Sequence, residues 1–313
     1  MVTQSNSRAK ALAEGLRRGD RASIARCISM AEDRPEEFSE LISGIYDPKK
    51  MPRVIGVTGP PGCGKSTLIS QIAPLLSASG HRLGIIAIDA SSPFTGGSFL
   101  GNRIRMEGTI SSGDIFMRSI ATRGTKGGLT ASIMGALITL SCAGFDLVIV
   151  ESVGAGQADV DILDISSTVL LVLAPGLGDE IQAMKAGTME IADIFVVNKA
   201  DLPGADQSKR AIMAYLSTMQ GRTPKKLAST SCTTKGGIKE LVGLIKEHED
   251  QVDTGPFIER AFKTEVNRIA KEILSKRVDE LSGNESGNLS SMLKSGIDPY
   301  SAAVKLLGRA KRL

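Results

Sequence analysis

Residues 53–67 read RVIGVTGPPGCGKST, and this stretch decides the fold. Its first six residues form an apolar, β-branched run that is typical of a strand buried in a parallel sheet. Residues 59–67 then fit the pattern GxxxxGK[ST], and an apolar helical segment, TLISQIAPLL, continues from Thr67. A strand, a glycine-rich turn and a helix in this order predict a P-loop, in which backbone N–H groups and the helix N-terminus bind phosphates.

The predicted P-loop assigns roles to single side chains. Lys65 is the expected catalytic cation, because a lysine at this position bridges the β- and γ-phosphates of a nucleotide. The hydroxyl of Ser66 is the expected Mg²⁺ ligand. The residues of this loop predicted to bind the nucleotide are Gly62, Cys63, Gly64, Lys65, Ser66 and Thr67.

From residue 51 to about residue 245, short apolar runs alternate with helical stretches. The runs predict strands at 53–58, 84–88, 146–150, 168–173, 193–197 and 226–229. Apolar runs without polar alternation suit strands that are covered on both faces. The repeated strand–helix order therefore predicts an α/β fold with a mostly parallel, doubly wound sheet.

Helical patterns flank this region on both sides. Residues 7–46 are predicted to be helical, with Asp20 as an N-cap and Pro35 at the start of a third short helix. After residue 250, apolar residues spaced three or four apart predict one long helix, and Pro299 opens a last helix after a break at 282–290. We thus expect an N-terminal helical extension (1–47), a P-loop domain (48–250) and a C-terminal helical region (251–313). The apolar stripe of the C-terminal region fits either core packing or a dimer surface.

Composition sets limits on the partners. The 313 residues carry a net charge of only +4, with 42% hydrophobic and 23% charged residues, as in ordinary globular proteins. No basic cluster accompanies a nucleic-acid-binding motif, and no apolar stretch approaches the ~20 residues of a membrane span. The four cysteines lack metal-ligand spacing, so we expect reduced thiols. These features predict a cytoplasmic protein with no nucleic-acid or membrane partner.

A second motif, Asn198-Lys199-Ala200-Asp201, indicates which base is bound. It follows the apolar run IFVV, so it lies where nucleotide pockets open at the end of a parallel strand. The Asp201 carboxylate can accept hydrogen bonds from guanine N1–H and its 2-amino group, a donor pair that adenine lacks. Ser231 and Cys232, after the last strand, are candidates for backbone contact with guanine O6. The sequence therefore predicts GTP or GDP as the ligand.

Two carboxylates at strand ends are candidates for the metal and the chemistry. Glu151 follows the run DLVIV and is predicted to be catalytic and to hold the Mg²⁺ shell, with Gly154 free to meet the γ-phosphate. Asp89, at the end of GIIAI, is a second predicted Mg²⁺ residue. Arg105, Arg118 and Arg123 lie in or near glycine-rich segments and are able to approach the phosphates; surface ion pairing is the alternative for each.

Longer segments resemble one family. They are AIDASSPFTGGSFLGNRIRM (87–106), RSIATRGTKGG (118–128), ESVGAGQAD (151–159), PGLGDEIQAMKAG (175–187) and VNKAD (197–201), together with LAEGLRRGDRASIARCIS near the N-terminus and DPYSAA near the C-terminus. With these segments the chain resembles the GTPases associated with methylmalonyl-CoA mutase, a family also described as arginine/ornithine transport ATPases.

The resemblance implies a homodimeric GTPase that docks on an adenosylcobalamin-dependent acyl-CoA mutase, and that gates cofactor loading and protects the mutase. It also implies that the segment around Asp179, Glu180 and Lys185 is a switch relaying the nucleotide state. Asn102 stands where the family often has Asp, which leaves open whether that loop ligates Mg²⁺. Three alternatives remain: a nickel- or cobalt-insertion GTPase, a small-molecule kinase, and an adaptor in which the nucleotide only stabilises the fold.

Overall fold

The computed structural model describes residues 2–89, 115–121, 128–154, 165–176, 188–218, 225–284, 289 and 292–310. The strands in these residues are β1 (Arg53–Thr58), β2 (Leu83–Asp89), β3 (Ile115–Ala121), β4 (Leu147–Glu151), β5 (Thr168–Leu173), β6 (Ile194–Val197) and β7 (Lys226–Ser229). The α-helices are α1 (Val2–Arg17), α2 (Arg21–Asp33), α3 (Pro35–Ile42), α4 (Lys65–Ser77), α5 (Gly128–Cys142), α6 (Thr188–Ile191), α7 (Ala205–Thr218), α8 (Ile238–Gln251), α9 (Gly255–Asn284) and α10 (Pro299–Ala310).

The seven strands form one sheet in the order β3-β2-β4-β1-β5-β6-β7. Every neighbouring pair is parallel, so the predicted α/β fold with a doubly wound sheet is confirmed. The six strands predicted from apolar runs are all present, with ends that differ by at most one residue. β1 lies between β4 and β5, and the strand order reverses there. This reversal opens a crevice at the carboxyl edge of the sheet.

β3 is the strand that the apolar runs did not predict. Its sequence, IFMRSIA, is interrupted by Arg118 and Ser119, which an edge strand tolerates because only β2 pairs with it. Helix α2 binds this edge strand: Arg21 donates to the Ile115 carbonyl at 2.7 Å, and Arg118 donates to the Ser29 hydroxyl at 2.9 Å. Arg118 therefore contacts α2 in this structure, whereas Arg105 and Arg123 lie outside the described residues.

The sheet is covered on both faces because side chains alternate along each strand. On one face, α4 and α8 pack against residues such as Ile55 and Val57 of β1. On the opposite face, α2 and α5 pack against β1, β2 and β4, and α7 packs against β5 and β6. In the described residues both faces of the sheet are thus covered by helices, and the polar side chains predicted to be functional lie at or after the strand ends.

The N-terminal helices form as predicted. The Asp20 carboxylate accepts from the Ser23 backbone N–H at 2.8 Å and caps α2, and α3 begins at Pro35. Leu16, Ile24 and Phe38 from these helices are buried in the same apolar cluster as residues of the sheet. The chain divides into two units, Met1–Ala261 and Phe262–Leu313, so the three helices belong to the unit that contains the sheet.

The described residues of the second unit are helical except for the turn at 295–298, before α10. This unit contains most of α9 together with α10. Pro299 lies in the first turn of α10, and the Asp298 carboxylate caps the N-terminus of that helix. Several large apolar side chains are exposed, among them Phe262 and Val266 of α9 and Tyr300 and Val304 of α10. No helix within the described ranges is long and apolar enough to cross a membrane.

Candidate nucleotide-binding site

The P-loop connects the end of β1 to the start of α4. Gly64 has φ of +96° and precedes α4, whose first residue is Lys65. The Lys65 side chain is only 7% exposed, and its ammonium group donates to the carbonyls of Gly59 at 2.7 Å and Pro60 at 3.2 Å. The loop thus encloses its own lysine, which places a cation at the N-terminus of a helix. Both features favour an anion at this position.

Ser66 and Glu151 lie together at the carboxyl edge of the sheet. Glu151 is the last residue of β4, and its Oε1 accepts from the Ser66 hydroxyl at 2.5 Å. The pair combines a hydroxyl and a carboxylate oxygen, which are the ligand types that Mg²⁺ takes beside nucleotide phosphates. Mg²⁺ usually needs only one or two protein ligands in such sites, so the pair fits the ion. The structure therefore brings together two of the three predicted metal residues.

The third predicted metal residue, Asp89, ends β2, and its side chain lies outside the part of the chain that is described. β2 pairs with β4, so the two carboxylates end neighbouring strands. Asn102 and the predicted switch residues Asp179, Glu180 and Lys185 lie outside the described residues. Among the residues that are described, no group of three or more His, Cys, Asp or Glu side chains is arranged to hold a metal ion.

Gly154 brings the segment after β4 against the P-loop. Its φ is +81°, and a Cβ at this position would lie 2.4 Å from the Gly59 carbonyl oxygen and 2.5 Å from Lys65 Nζ. No side chain fits at that separation, so the backbone approach requires glycine. Ser152, two residues earlier, donates its hydroxyl to Thr58 at the end of β1 at 3.1 Å. The segment that follows Glu151 is therefore fixed to the end of β1 and the start of the P-loop.

Asn198 connects the predicted base-recognition loop to the P-loop. The residue follows β6, is 1% exposed, and donates from Nδ2 to the Cys63 carbonyl at 2.9 Å. A Cβ at Gly64 would lie 2.5 Å from the same Nδ2 atom, so the two loops are in direct contact. Lys199 adds a second link, since its ammonium donates to the Gly62 carbonyl at 2.7 Å. Both loops are thereby held in one arrangement at the carboxyl edge.

Thr230 completes this connection and was missed by the sequence analysis. It is fully buried, its hydroxyl donates to Asn198 Oδ1 at 3.1 Å, and its carbonyl accepts from the Ala200 backbone N–H at 2.9 Å. The sequence feature that could have identified Thr230 is its position between β7 and Ser231, because a hydroxyl at a strand end is suited to bind a neighbouring loop. Ser231 is buried and accepts from the Thr234 N–H, whereas Asp201 is exposed at the mouth of the site.

The two cysteines of the site are neutral thiols. Burial raises the pKa of Cys63, and the positive charges of Lys65 and Lys199 offset only part of that effect. Burial also raises the pKa of Cys232, whose thiol lies 3.6 Å from Asn198 Oδ1. Neither is a thiolate at neutral pH, so they contribute backbone groups and packing rather than charge. All four cysteines of the chain are free.

Comparisons with known proteins agree with this geometry. The family model described as methylmalonyl Co-A mutase-associated GTPase MeaB matches residues 24–286. The chain is 40% identical to a Pyrococcus horikoshii protein that is named as a GTPase, over 95% of this chain and 98% of the relative. It is 30% identical to the mitochondrial methylmalonic aciduria type A homolog of Caenorhabditis elegans, over 88% of this chain and 75% of that protein.

A solved structure supports the fold. The crystal structure of an LAO/AO transport system kinase superposes with a TM-score of 0.65 at 22% identity, over 97% of this chain and 98% of that one. At this identity the likeness concerns the fold alone. The match to the family model covers most of the chain, including both loops of the site. The chain therefore belongs to the methylmalonyl Co-A mutase-associated GTPase MeaB family.

Proposed function

We propose that this protein hydrolyses GTP with Mg²⁺ and uses the cycle to act as a chaperone of an adenosylcobalamin-dependent acyl-CoA mutase. The observation that carries the nucleotide part is the hydrogen bond between Asn198 and Cys63, which joins a guanine-type loop to a phosphate-type loop. Membership of a GTPase family implies guanine nucleotide binding. The relatives that are named methylmalonic aciduria type A homologs support the proposal that the partner is an acyl-CoA mutase.

In the proposed mechanism the P-loop N–H groups and Lys65 neutralise the β- and γ-phosphates. Lys65 exchanges its bonds to Gly59 and Pro60 for phosphate oxygens, which it reaches without a large movement because it already lies inside the loop. Ser66 and Glu151 would hold Mg²⁺, and Asp89 is proposed to join them. The ion would supply charge neutralisation for the phosphates during hydrolysis.

Guanine recognition is proposed to rest on Asp201, with Ser231 and Cys232 contributing backbone groups to the base. An adenine in the same place would leave the carboxylate without its two donors, which costs about 1–3 kcal/mol. Asn198 and Lys199 position the loop through the P-loop carbonyls of Cys63 and Gly62. Specificity and phosphate binding thus belong to one connected network.

Slow turnover is expected of the isolated protein. Among the described candidates, Arg118 is engaged with Ser29 and does not act as an arginine that stabilises the transition state in this conformation; Arg105 and Arg123 lie outside the described residues. Hydrolysis without such a residue is slower by about 10³-fold or more. A partner that completes the site would accelerate it, and we propose that the mutase does so through the segment around Asp179, Glu180 and Lys185.

The C-terminal unit is proposed to form a homodimer. Phe262, Val266, Tyr300 and Val304 are exposed, apolar and spaced at helical intervals on α9 and α10. Pairs of large apolar side chains that are exposed on one helix face, as on each of these two helices, are typical of surfaces that become buried in an assembly. The proposal predicts a dimer of the full-length protein in sedimentation analysis, and a monomer after Phe262→Glu and Val266→Glu.

The partner proposal is tested by steady-state GTP turnover with and without an adenosylcobalamin-dependent acyl-CoA mutase. We expect stimulated turnover and co-elution of the two proteins, with an interaction that differs between GDP and a non-hydrolysable GTP analogue. Lys65→Ala should remove turnover in the presence of the mutase, whereas Lys209→Ala, an exposed lysine of α7, should not. The chaperone role would be refuted if the mutase does not change the rate of GTP turnover and if the two proteins form no complex with either GDP or the GTP analogue. Transfer of the γ-phosphate to a metabolite rather than to water would favour the kinase alternative.

A further inference from the structure

A cavity of about 360 Å³ lies at the amino edge of the sheet, on the opposite side from the P-loop. It is bounded by Arg17 at the end of α1, by Asp47 and Lys50 in the segment before β1, by Arg82 before β2, and by the end of α5. All of these residues belong to the unit that contains the sheet. The cavity therefore lies where the N-terminal helices join the nucleotide-binding fold.

Positive charge predominates in the cavity. Arg17, Lys50 and Arg82 line it together with one carboxylate, that of Asp47. In the described part of the chain, none of the three cations forms an ion pair with a carboxylate. Three cations around one small space repel one another, and an anion placed among them relieves the repulsion.

Arg82 is held in a fixed position. Its guanidinium donates to the Ala143 carbonyl at 2.6 Å and lies 4.6 Å from the centroid of the Phe145 ring. The bond to Ala143 offsets the negative end of the α5 dipole, which would otherwise oppose an anion here. Asp47 is engaged as well, since its carboxylate accepts from the Lys49 backbone N–H at 3.0 Å. Arg17 and Lys50 are both exposed, and the one hydrogen bond of the Arg17 guanidinium is a long one, to the Gly44 carbonyl at 3.4 Å, so these two cations are more available to a ligand than Arg82.

We propose that this cavity is a second anion site, which binds a small molecule through a phosphate or pyrophosphate group. Arg17 and Lys50 supply charge-assisted hydrogen bonds from α1 and from the segment before β1, and Arg82 supplies fixed positive charge at the back. Guanidinium groups match phosphate oxygens in geometry, which favours phosphate over a halide. The bound anion would join α1 to the start of the sheet. The inference does not depend on GTP hydrolysis or on a mutase partner, although its test makes use of the proposed binding of GDP.

The test is calorimetric titration of inorganic pyrophosphate into the full-length protein saturated with GDP, at constant ionic strength. GDP occupies the P-loop, so that pyrophosphate reports on other sites. We expect saturable binding with one site per chain. Arg17→Gln and Lys50→Gln should each weaken it about tenfold, which corresponds to the loss of one charge-assisted hydrogen bond.

The neighbouring positions provide matched controls. Arg18→Gln and Lys49→Gln remove the same charges from exposed positions next to Arg17 and Lys50 but outside the cavity, and should leave binding unchanged. Pyrophosphate should also raise the unfolding temperature of the wild type and of both controls, because it binds only the folded state. The proposal is overturned if no saturable binding occurs, or if all four variants weaken it equally. It is also overturned if Lys65→Ala abolishes binding while Arg17→Gln and Lys50→Gln keep it.

Discussion

Asn198 Nδ2 lies 2.9 Å from the carbonyl oxygen of Cys63, so a residue at the end of β6 is bonded to the middle of the P-loop. Both ends of the Asn198 amide form hydrogen bonds, since Oδ1 accepts from the Thr230 hydroxyl at 3.1 Å while Nδ2 donates to the Cys63 carbonyl. The side chain is buried, and its loss would leave both partners without these bonds. The loops that are proposed to bind phosphate and base are therefore coupled through one amide.

Asn198→Ala should weaken GDP binding at least about tenfold and lower the unfolding free energy by about 1–3 kcal/mol, because buried polar groups lose their partners. Thr230→Val removes only the hydroxyl bond to Oδ1 and should show a smaller effect of the same kind. Fluorescence titration with a labelled GDP and urea unfolding measure the two quantities. Wild-type affinity in Asn198→Ala would show that the two loops do not need this connection.

Gly154→Ala should reduce GTP turnover about tenfold or more. The new methyl group would clash with the Gly59 carbonyl oxygen and with Lys65 Nζ. This clash would displace either the P-loop lysine or the segment after Glu151. Gly176→Ala is the matched control: its φ of +87° imposes similar backbone strain, of about 1–2 kcal/mol, but an added Cβ has no atom within 4 Å. Equal turnover in the two alanine variants would mean that strain, and not the contact with the P-loop, determines the effect.

Asp201→Asn should lower the ratio of GTP to ATP affinity about 10- to 100-fold. The amide accepts at only one atom and presents a donor to guanine N1–H, so the pairing that selects guanine is lost. Competition binding of GTP and ATP measures the ratio. Asp206→Asn, at an exposed position in the first turn of α7, serves as the control. An unchanged ratio in Asp201→Asn would remove the basis for assigning the base to this loop.

Glu249 gives the protein a pH-dependent stability. Its carboxylate is buried; Oε1 accepts from the Thr168 hydroxyl, and Oε2, which has no hydrogen bond, lies 3.9 Å from Arg53 Nε. Burial raises the pKa of Glu249, and the hydrogen bond from Thr168 and the charges of Arg53 and His248 lower it only in part. Because the folded-state pKa is raised, the protonated form contributes stability below the unfolded pKa, and this is lost as pH rises through the folded pKa.

Glu249→Gln should therefore gain stability relative to the wild type as pH rises from about 4 to about 8, since it has no buried carboxyl group to ionise. Urea unfolding across this range measures the difference between the two proteins. Glu240→Gln, at an exposed position of the same helix, should show no such trend. A difference between Glu249→Gln and the wild type that stays constant with pH would show that the Glu249 carboxyl has the same pKa in the folded and the unfolded protein, and would contradict the raised pKa.

The sequence predicted most of the sheet because β1, β2, β4, β5 and β6 are buried on both faces and therefore appear as apolar runs. The other predicted strand, β7, is a half-buried edge strand with the short run KLAS. β3 was not predicted because Arg118 and Ser119 interrupt its apolar run. Arg118 is accommodated at this edge of the sheet by its hydrogen bond to Ser29 of α2. Local signals also predicted the cap at Asp20 and the helix start at Pro35. These features depend on neighbouring residues alone, which is why a single sequence reveals them.

The site was predictable in its motifs but not in its connections. The positions of Glu151 and Asn198 at strand ends, and of Lys65 at the start of a helix, follow from the strand and helix pattern. The hydrogen bond from Thr230 to Asn198 joins residues 32 apart in sequence, and no local pattern marks such a pair. The contact of Gly154 with Gly59 and Lys65 likewise depends on the packing of β4 against β1. The segment around Asp179, Glu180 and Lys185 lies outside the described residues, so its role as a switch remains a prediction.

The central claim is that Lys65 lies in a working GTPase site. The most direct measurement is GTP turnover by the purified chain beside Lys65→Ala, with ATP as the competing substrate. We predict slow, Mg²⁺-dependent hydrolysis of GTP by the wild type, little hydrolysis of ATP, and none of either by Lys65→Ala. Equal turnover by Lys65→Ala and the wild type, or equal use of ATP and GTP, would contradict the account.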